Sequence, residues 1–286
     1  VPSFHFCQMI LQCGKYRLAF DRPLIMGVVN VTPDSFSDGG HYQGHDAAVA
    51  HARRLIDEGA DLLDIGGEST RPGATAVSLE EERRRVLPVL EALLPANIPL
   101  SIDTQKPELM REAAAAGAAM INDVNGFEAV GALQSVSGSD CAVCIMHKQG
   151  QPQTMQQAPQ YRDVVAEVDA YLHARMVAAE AAGIAPSRLV IDPGFGFGKT
   201  LEHNMLLLRE LDRLAATGVP VLAGLSRKSM IGALTGREVG DRVFGSVAAA
   251  LIAAQRGAAI LRVHDVAATR DALAVWKAVE SNKNKD

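Results

Sequence analysis

The chain has 286 residues, 48% hydrophobic and 21% charged, enough apolar material for one sizeable core. A net charge of −5 and a pI near 5.9 give no global attraction for nucleic acid or an anionic membrane, so any anionic ligand must be held locally. The longest apolar run in the C-terminal half, 247–254, is far too short to span a bilayer. The N-terminus lacks the basic-then-apolar pattern of a secretory signal, and a start at Val1 in place of Met suggests trimming.

Residues 4–20 alternate around Gly14-Lys15 like a hairpin, and the segment 1–22 could cap the bottom of a barrel. Leu24 to Val31 is apolar, rich in β-branched residues and bounded by proline, the pattern of a strand buried on both faces. It delivers Asn30 into a polar run that closes at Gly39-Gly40, long against the usual connection of about 2–6 residues. A helix follows over 46–57 with Gly59 as its stop, then a strand over 61–65 that ends in a second polar loop, Gly66 to Gly73.

The rhythm repeats. A helix over 78–94 opens with Ser78 three residues before Glu81, a capping-box signature. Its run Glu80 to Arg85 reads as a solvated, i,i+4-paired face. The strand 98–102 ends at Asp103, and the helix 107–116 starts on Pro107 and stops at Gly117. The strand 118–121 ends at Asn122-Asp123, and a helix lies near 129–136. The strand 142–146 ends at His147, and a long helix covers 161–182. The strand 189–191 ends at Asp192, the helix 201–216 stops at Gly218, and the strand 219–225 ends at Ser226-Arg227-Lys228-Ser229. A helix over 241–256, a strand over 258–263 that ends at His264-Asp265, and a last helix over 267–280 complete the chain. The charged tail 281–286 is expected to fray.

Eight strand–helix units without a linker-like break argue one α/β domain over 1–286, closed as a (β/α)8 TIM barrel in preference to an open doubly wound sheet. The C-terminal strand ends of such a barrel meet at one mouth. Read in order they supply Asn30, Gly66-Gly67, Asp103, Asn122, His147, Asp192, Lys228, and Arg262 with His264. Any one of these could cap the next helix, the reading favoured for Asp123 and Asp265. Capping does not explain Lys228 and Arg262 in the same ring.

Cys141-Ala-Val-Cys144 matches C-x-x-C, but in a strand residues three apart face opposite sides. No second pair accompanies it, so reduced thiols in a cytoplasmic protein are expected. The run Asp192 to Thr200 resembles a P-loop yet has only three residues between Gly194 and Gly198-Lys199. It also fails the dinucleotide spacing, so its glycines are read as letting Phe195 and Phe197 line a pocket. Asp103 and Asp192 could pair as in a glycosidase, but the single Trp276 supplies no aromatic platform. Acids at one end and basic groups at the other suit a ligand with a guanidine-like part and an anionic part.

The chain resembles the dihydropteroate synthase family from Pro23 onward. The resemblance is carried by Gly27-Val-Val-Asn-Val-Thr-Pro-Asp-Ser-Phe-Ser-Asp-Gly-Gly40 and Asp64-Ile-Gly-Gly-Glu-Ser-Thr-Arg-Pro-Gly73. Further matches are Ile102-Asp-Thr, Ile121-Asn-Asp, Met146-His, Asp192 to Lys199, Ser226-Arg-Lys-Ser229 and Arg262-Val-His264. Gln105 stands where serine is common, and Val124-Asn125 varies a tolerant stretch. The resemblance implies condensation of 6-hydroxymethyl-7,8-dihydropterin diphosphate with p-aminobenzoate, which releases diphosphate. It implies pterin contacts from Asp103, Asn122, Met146, Asp192, Phe197, Gly224 and Lys228, and diphosphate contacts from Asn30, Thr70, Arg71, Arg262 and His264. It further implies a p-aminobenzoate pocket of Phe36, Thr70, Pro72, Phe197, Lys228 and Ser229, with Asp103, Lys228, Arg262 and His264 catalytic. Asn30 would be the protein ligand of Mg2+, the loops 32–45 and 70–77 would close over the ligands, and the protein would be a homodimer and a sulfonamide target. A corrinoid-type pterin methyltransferase domain should lack the Ser-Thr-Arg-Pro and Ser-Arg-Lys-Ser elements present here. A non-catalytic pterin-binding homologue remains as the other alternative.

Overall fold

The structure, a computed structural model, describes residues 9–31, 41–69, 76–150 and 159–281. Two short strands, β1 (Ile10–Cys13) and β2 (Tyr16–Ala19), form an antiparallel hairpin turned at Gly14. Eight parallel strands follow: β3 (Leu24–Asn30), β4 (Leu62–Gly66), β5 (Leu100–Asp103), β6 (Met120–Asp123), β7 (Ala142–Met146), β8 (Leu189–Asp192), β9 (Leu222–Ala223) and β10 (Ile260–Val263). They are ordered β8-β7-β6-β5-β4-β3-β10-β9. A parallel bridge between Ile191 and Val221 joins the two ends, which closes the sheet into a TIM barrel. The outer ring carries α1 (His41–Asp57), α2 (Leu79–Leu93), α3 (Pro107–Ala116), α4 (Ala132–Ser137), α5 (Val164–Ala181), α6 (Leu201–Arg209), α7 (Leu211–Ala215), α8 (Ser229–Thr235), α9 (Val243–Gln255) and α10 (Val266–Ser281).

Each barrel strand is buried on both faces because one face fills the barrel and the other meets the helices, although the inward residues of β5 are the polar Ser101 and Asp103. Met26, Leu62, Met120, Cys144, Val190, Leu222 and Ile260 pack inside, together with Leu11, Cys13 and Phe20 of the hairpin. The hairpin is thus the floor of the barrel, as its alternation predicts, and the Gly14 N–H donates to Asp140 O at 2.9 Å. Strand period is two, so the interior position beyond each of these seven strand residues falls on Val28, Asp64, Asn122, Met146, Asp192, Gly224 and Arg262. Asn30, Gly66, Asp103 and Asn122 are paired side by side across four adjacent strands. The same alternation that builds the core therefore presents a polar layer at the C-terminal mouth.

Several boundaries differ from the sequence reading. The helix read from 46 begins at His41, because periodicity detects only its apolar part. The helix read over 161–182 begins at Val164, capped by Asp163, whose carboxylate accepts from the Val165 and Ala166 N–H groups. The helix read over 201–216 breaks at Glu210 into α6 and α7. The strand read over 219–225 keeps only two residues, since Pro220 has no N–H to give a ladder. The helix start expected after Arg227-Lys228 is the seven-residue α8, which is shorter than two turns and carries Gly232.

Ser78 caps α2 by accepting the Glu81 N–H at 3.2 Å, a bond worth about 1 kcal/mol. The reciprocal half of the box is not made, because the Glu81 carboxylate bonds to Arg84 and Arg85. The following charge run is not wholly solvated either. Glu82 is fully buried and takes the Lys106 ammonium, which also bonds Glu68, while Arg85 donates to Gly67 O at 2.8 Å.

Candidate active site

At the mouth the Arg262 guanidinium donates through Nε to Asp64 Oδ2 at 2.6 Å and through Nη2 to Asp103 Oδ2 at 3.1 Å. The same Asp64 oxygen accepts from Asn122 Nδ2 at 3.1 Å. Among the described residues Asp64 Oδ1 and Asn122 Oδ1 are buried without a hydrogen-bond partner, so the network there is complete on one side only. Burial first, and then the Asp64 charge, push the Asp103 carboxyl up to about 8, with Arg262 pulling the other way. Arg262 in turn is held above its ordinary value, the two carboxylates overcoming its desolvation. The expected separation of acids and bases is therefore corrected: Arg262 sits among the acids, because the strand period drops its side chain into their layer.

Across the mouth lies the loop that follows β8. Asp192 is buried, with its Oδ1 accepting the Gly194 N–H at 2.7 Å. Burial raises its carboxyl, opposed by Lys228. Lys228 donates to Phe195 O, and its Nζ lies 4.6 Å from the centre of the Phe197 ring, a cation–π arrangement. Burial pulls the Lys228 ammonium down to about 8, against the opposing pull of Asp192. Gly224 keeps this space open, since a Cβ there would stand 3.8 Å from Lys228 Nζ and 3.9 Å from Arg262. Met146 is buried and pairs with Asp192 in register.

The segment 226–229 sends successive side chains in different directions. Arg227 takes the left-handed conformation (φ 59), its N–H donating to Ser246 Oγ at 2.9 Å. Its guanidinium turns to Asp265 with bonds of 3.0 and 2.5 Å. Asp265 is thus an ion-pair partner and more than the helix cap it was read as. Asp123 does serve as a turn cap, accepting from Asn125 and Phe127 N–H groups at 2.7 and 2.8 Å. Ser229 opens α8. Ser226 Oγ accepts the His264 N–H at 3.2 Å and lies 3.0 Å from His264 Nδ1. Asn30 and His264 share a cavity of about 520 Å³ with Val28, Ala47, Ala50, His51 and Arg54. The expectations for Phe36, Thr70, Arg71 and Pro72 fall outside the described residues.

Two sequence readings change here. Phe195 lines no pocket: it is fully buried between the barrel and the helices, since a glycine-rich loop has no period from which to read its register. His147 does not join the mouth. It stands edge-on to Tyr171 at 4.9 Å and accepts from Lys199 at 2.9 Å, and burial drives it down to about 3. The thiols behave as expected. Cys141 packs outside the barrel and Cys144 inside, and burial raises both. Sequence reasoning missed Asp64, which lies inside a strand; its one signal was a lone carboxylate in Leu62-Leu-Asp-Ile65.

Fold and site together define a barrel enzyme with a polar, deeply recessed binding site at the C-terminal ends of its strands. Residues 26–264 match the family described as pterin binding enzyme. The dihydropteroate synthase of Neisseria meningitidis serogroup B is 53% identical over 96% of this chain and 98% of its own length. The Xanthomonas albilineans dihydropteroate synthase solved with 4-aminobenzoic acid is 61% identical, with a TM-score of 0.90 over 95% of this chain and 98% of that one. The Burkholderia cenocepacia dihydropteroate synthase complexed with 7,8-dihydropteroate is 52% identical, with a TM-score of 0.89 over 97% and 98%. The chain belongs to the dihydropteroate synthase family.

Proposed function

We propose that the protein joins 6-hydroxymethyl-7,8-dihydropterin diphosphate to p-aminobenzoate, giving 7,8-dihydropteroate and diphosphate. The observation that carries this reading is the layer of buried Asp103, Asn122 and Asp192 with the partly exposed Lys228 and Arg262, which offers donors and acceptors to a flat polar heterocycle. Asp192 meets the guanidine-like aminopyrimidine edge, a surface matched by a bidentate carboxylate. Lys228 reaches the ring carbonyl, Asn122 adds amide contacts, and Met146, Phe197 and Gly224 shape the apolar walls. Asn30, Thr70, Arg71, Arg262 and His264 hold the diphosphate. Phe36, Thr70, Pro72, Phe197, Lys228 and Ser229 form the p-aminobenzoate pocket.

The reaction is a dissociative substitution. Arg262 and His264 stabilise charge on the departing diphosphate, so the C–O bond breaks early. Positive charge then develops on the pterin beside Asp103, and the amine of p-aminobenzoate closes the new C–N bond and gives up its proton. Asp103 must be ionised for this, and its raised pKa makes that ionisation the step that pH controls. Mg2+ suits the anion end: it binds through few protein oxygens and keeps waters and phosphate oxygens for the rest, which the single Asn30 amide beside the cavity matches. When bound it neutralises diphosphate charge.

No described helix is long and apolar enough to cross a membrane. The three cysteines among the described residues, Cys13, Cys141 and Cys144, are buried free thiols, which supports a reducing, cytoplasmic setting. Exposed apolar residues on the late helices, Phe244 and Ile252 of α9 with Val275 and Val279 of α10, support a homodimer through that face. Incubation with both substrates and Mg2+ tests the function. Formation of 7,8-dihydropteroate is expected, whereas tight pterin binding without product would make the chain a non-catalytic homologue.

A further inference from the structure

Behind the pterin pocket proposed above lies a buried cation, Lys199, that touches none of the ligands assigned there. Lys199 is 2% exposed, and among the described residues no carboxylate is bonded to it. Its Nζ instead donates to three neutral acceptors: His147 Nδ1 at 2.9 Å, Gly194 O at 3.0 Å and Phe197 O at 3.1 Å. An ammonium has three N–H donors and no acceptor, so these bonds use all of its capacity. His147 can accept because it is neutral across the working range, held well below its ordinary value by burial and by Lys199 itself.

The two carbonyls belong to the loop between β8 and α6, and both lead to the pocket. Gly194 also donates its N–H to Asp192 Oδ1 at 2.7 Å. Phe197 carries the ring beneath Lys228 Nζ, and between them Phe195 O accepts from Lys228. The loop is pressed on the segment that follows β7: a Cβ on Gly194 would lie 1.8 Å from His147 O, and one on Gly198 would lie 2.2 Å from Gln149 O. Both glycines have positive φ, so the backbone path is available only to glycine. The far end is tied separately, by Tyr161 Oη donating to Gly198 O at 2.9 Å and by Asn204 Oδ1 accepting the Gly196 N–H at 2.7 Å.

We propose that Lys199 is a positioning residue for pterin recognition: it clamps the loop through the Gly194 and Phe197 carbonyls, so that the Asp192 carboxylate and the Lys228 ammonium face the ring. This gives the Gly-Lys pair of the loop a role other than phosphate binding. The charged groups facing Lys199 are Asp192, which favours its ammonium, and Lys228, which opposes it; burial, with Lys228 in the same direction, outweighs Asp192 and brings Lys199 down to about 7. Above that pH the amine keeps two donors for three acceptors.

The test is calorimetry on the full chain with two probes, 6-hydroxymethylpterin without diphosphate, and diphosphate with Mg2+. Wild type, Lys199→Met, Lys199→Gln and Asp192→Asn are compared. Lys199→Met is expected to lose pterin affinity by about ten-fold or more. Lys199→Gln, which keeps two donors, should lose less. Diphosphate binding should stay within about two-fold of wild type in both, since Asn30 and His264 line a cavity that takes in no residue of this loop. Equal pterin affinity in wild type and both Lys199 variants would overturn the proposal, as would parallel loss of both probes or failure of both variants to fold, which would make Lys199 a stability residue only. Absence of pterin binding by wild type would overturn the functional reading itself. Loss in Asp192→Asn with none in Lys199→Met would overturn only the clamp.

Discussion

Replacing Asp64 with Asn isolates the electrostatic part of the mouth. Asp64 Oδ2 accepts from both Arg262 and Asn122, and an Asn carbonyl can take both bonds. Its amide then stands where Asp64 Oδ1 has no partner among the described residues, so shape is conserved while one negative charge leaves. Two carboxylates on one guanidinium stand on the order of 5 Å apart, and like charges at that separation repel by about 3 kcal/mol at an effective dielectric near 20. That corresponds to about 2 pKa units. Burial, the largest cause of the raised Asp103 pKa, is untouched, and Arg262 is left with Asp103 as its one carboxylate. The ascending limb of kcat/KM against pH should therefore move from about 8 in wild type to about 6 in Asp64→Asn. The assay is turnover of both substrates from about pH 5 to about 9.5, with Asp103→Asn as the control that lacks the limb and keeps the fold. A limb that stays in place, or moves upward, would refute the coupling of Asp64 to Asp103. Undiminished turnover by Asp103→Asn would remove that residue from the mechanism.

Two further outcomes follow from the same contacts. Lys106→Met should leave the fully buried Glu82 without its cation and lower stability by about 3–5 kcal/mol in urea unfolding. Adding Glu82→Gln should recover part of the loss, and an unchanged midpoint for Lys106→Met would show the cluster to be energetically idle. Phe244→Glu, on the exposed face of α9, should yield folded monomers by sedimentation, and a persisting dimer would place the interface elsewhere.

How far the sequence foretold this molecule depends on periodicity. The barrel strands announce themselves because a strand buried on both faces must be continuously apolar, and the residues at their ends stand out as the first polar side chains. Asn122, Asp192 and Arg262 are found in that way. Asp64 escapes it, since it lies one turn of the pleat below the rim and its counter-charge comes from Arg262, 198 positions away. Charge runs mislead for a related reason: Glu80 to Arg85 looks uniform, yet helix geometry turns Glu82 inward onto Lys106 and leaves Glu80 outside. Phe195 and Phe197 are indistinguishable in a glycine-rich run, and only the fold sends one into the core and the other beneath Lys228.

The central claim is that positive charge builds on the pterin beside Asp103 before the amine bonds. Turnover of substrate deuterated at the exocyclic methylene tests it most directly. A normal secondary isotope effect on diphosphate release is expected, because that carbon loosens from tetrahedral toward trigonal geometry as the C–O bond breaks. An effect of unity, with release strictly dependent on p-aminobenzoate attack, would mean direct displacement by the amine and would contradict the charge-stabilising role of Asp103.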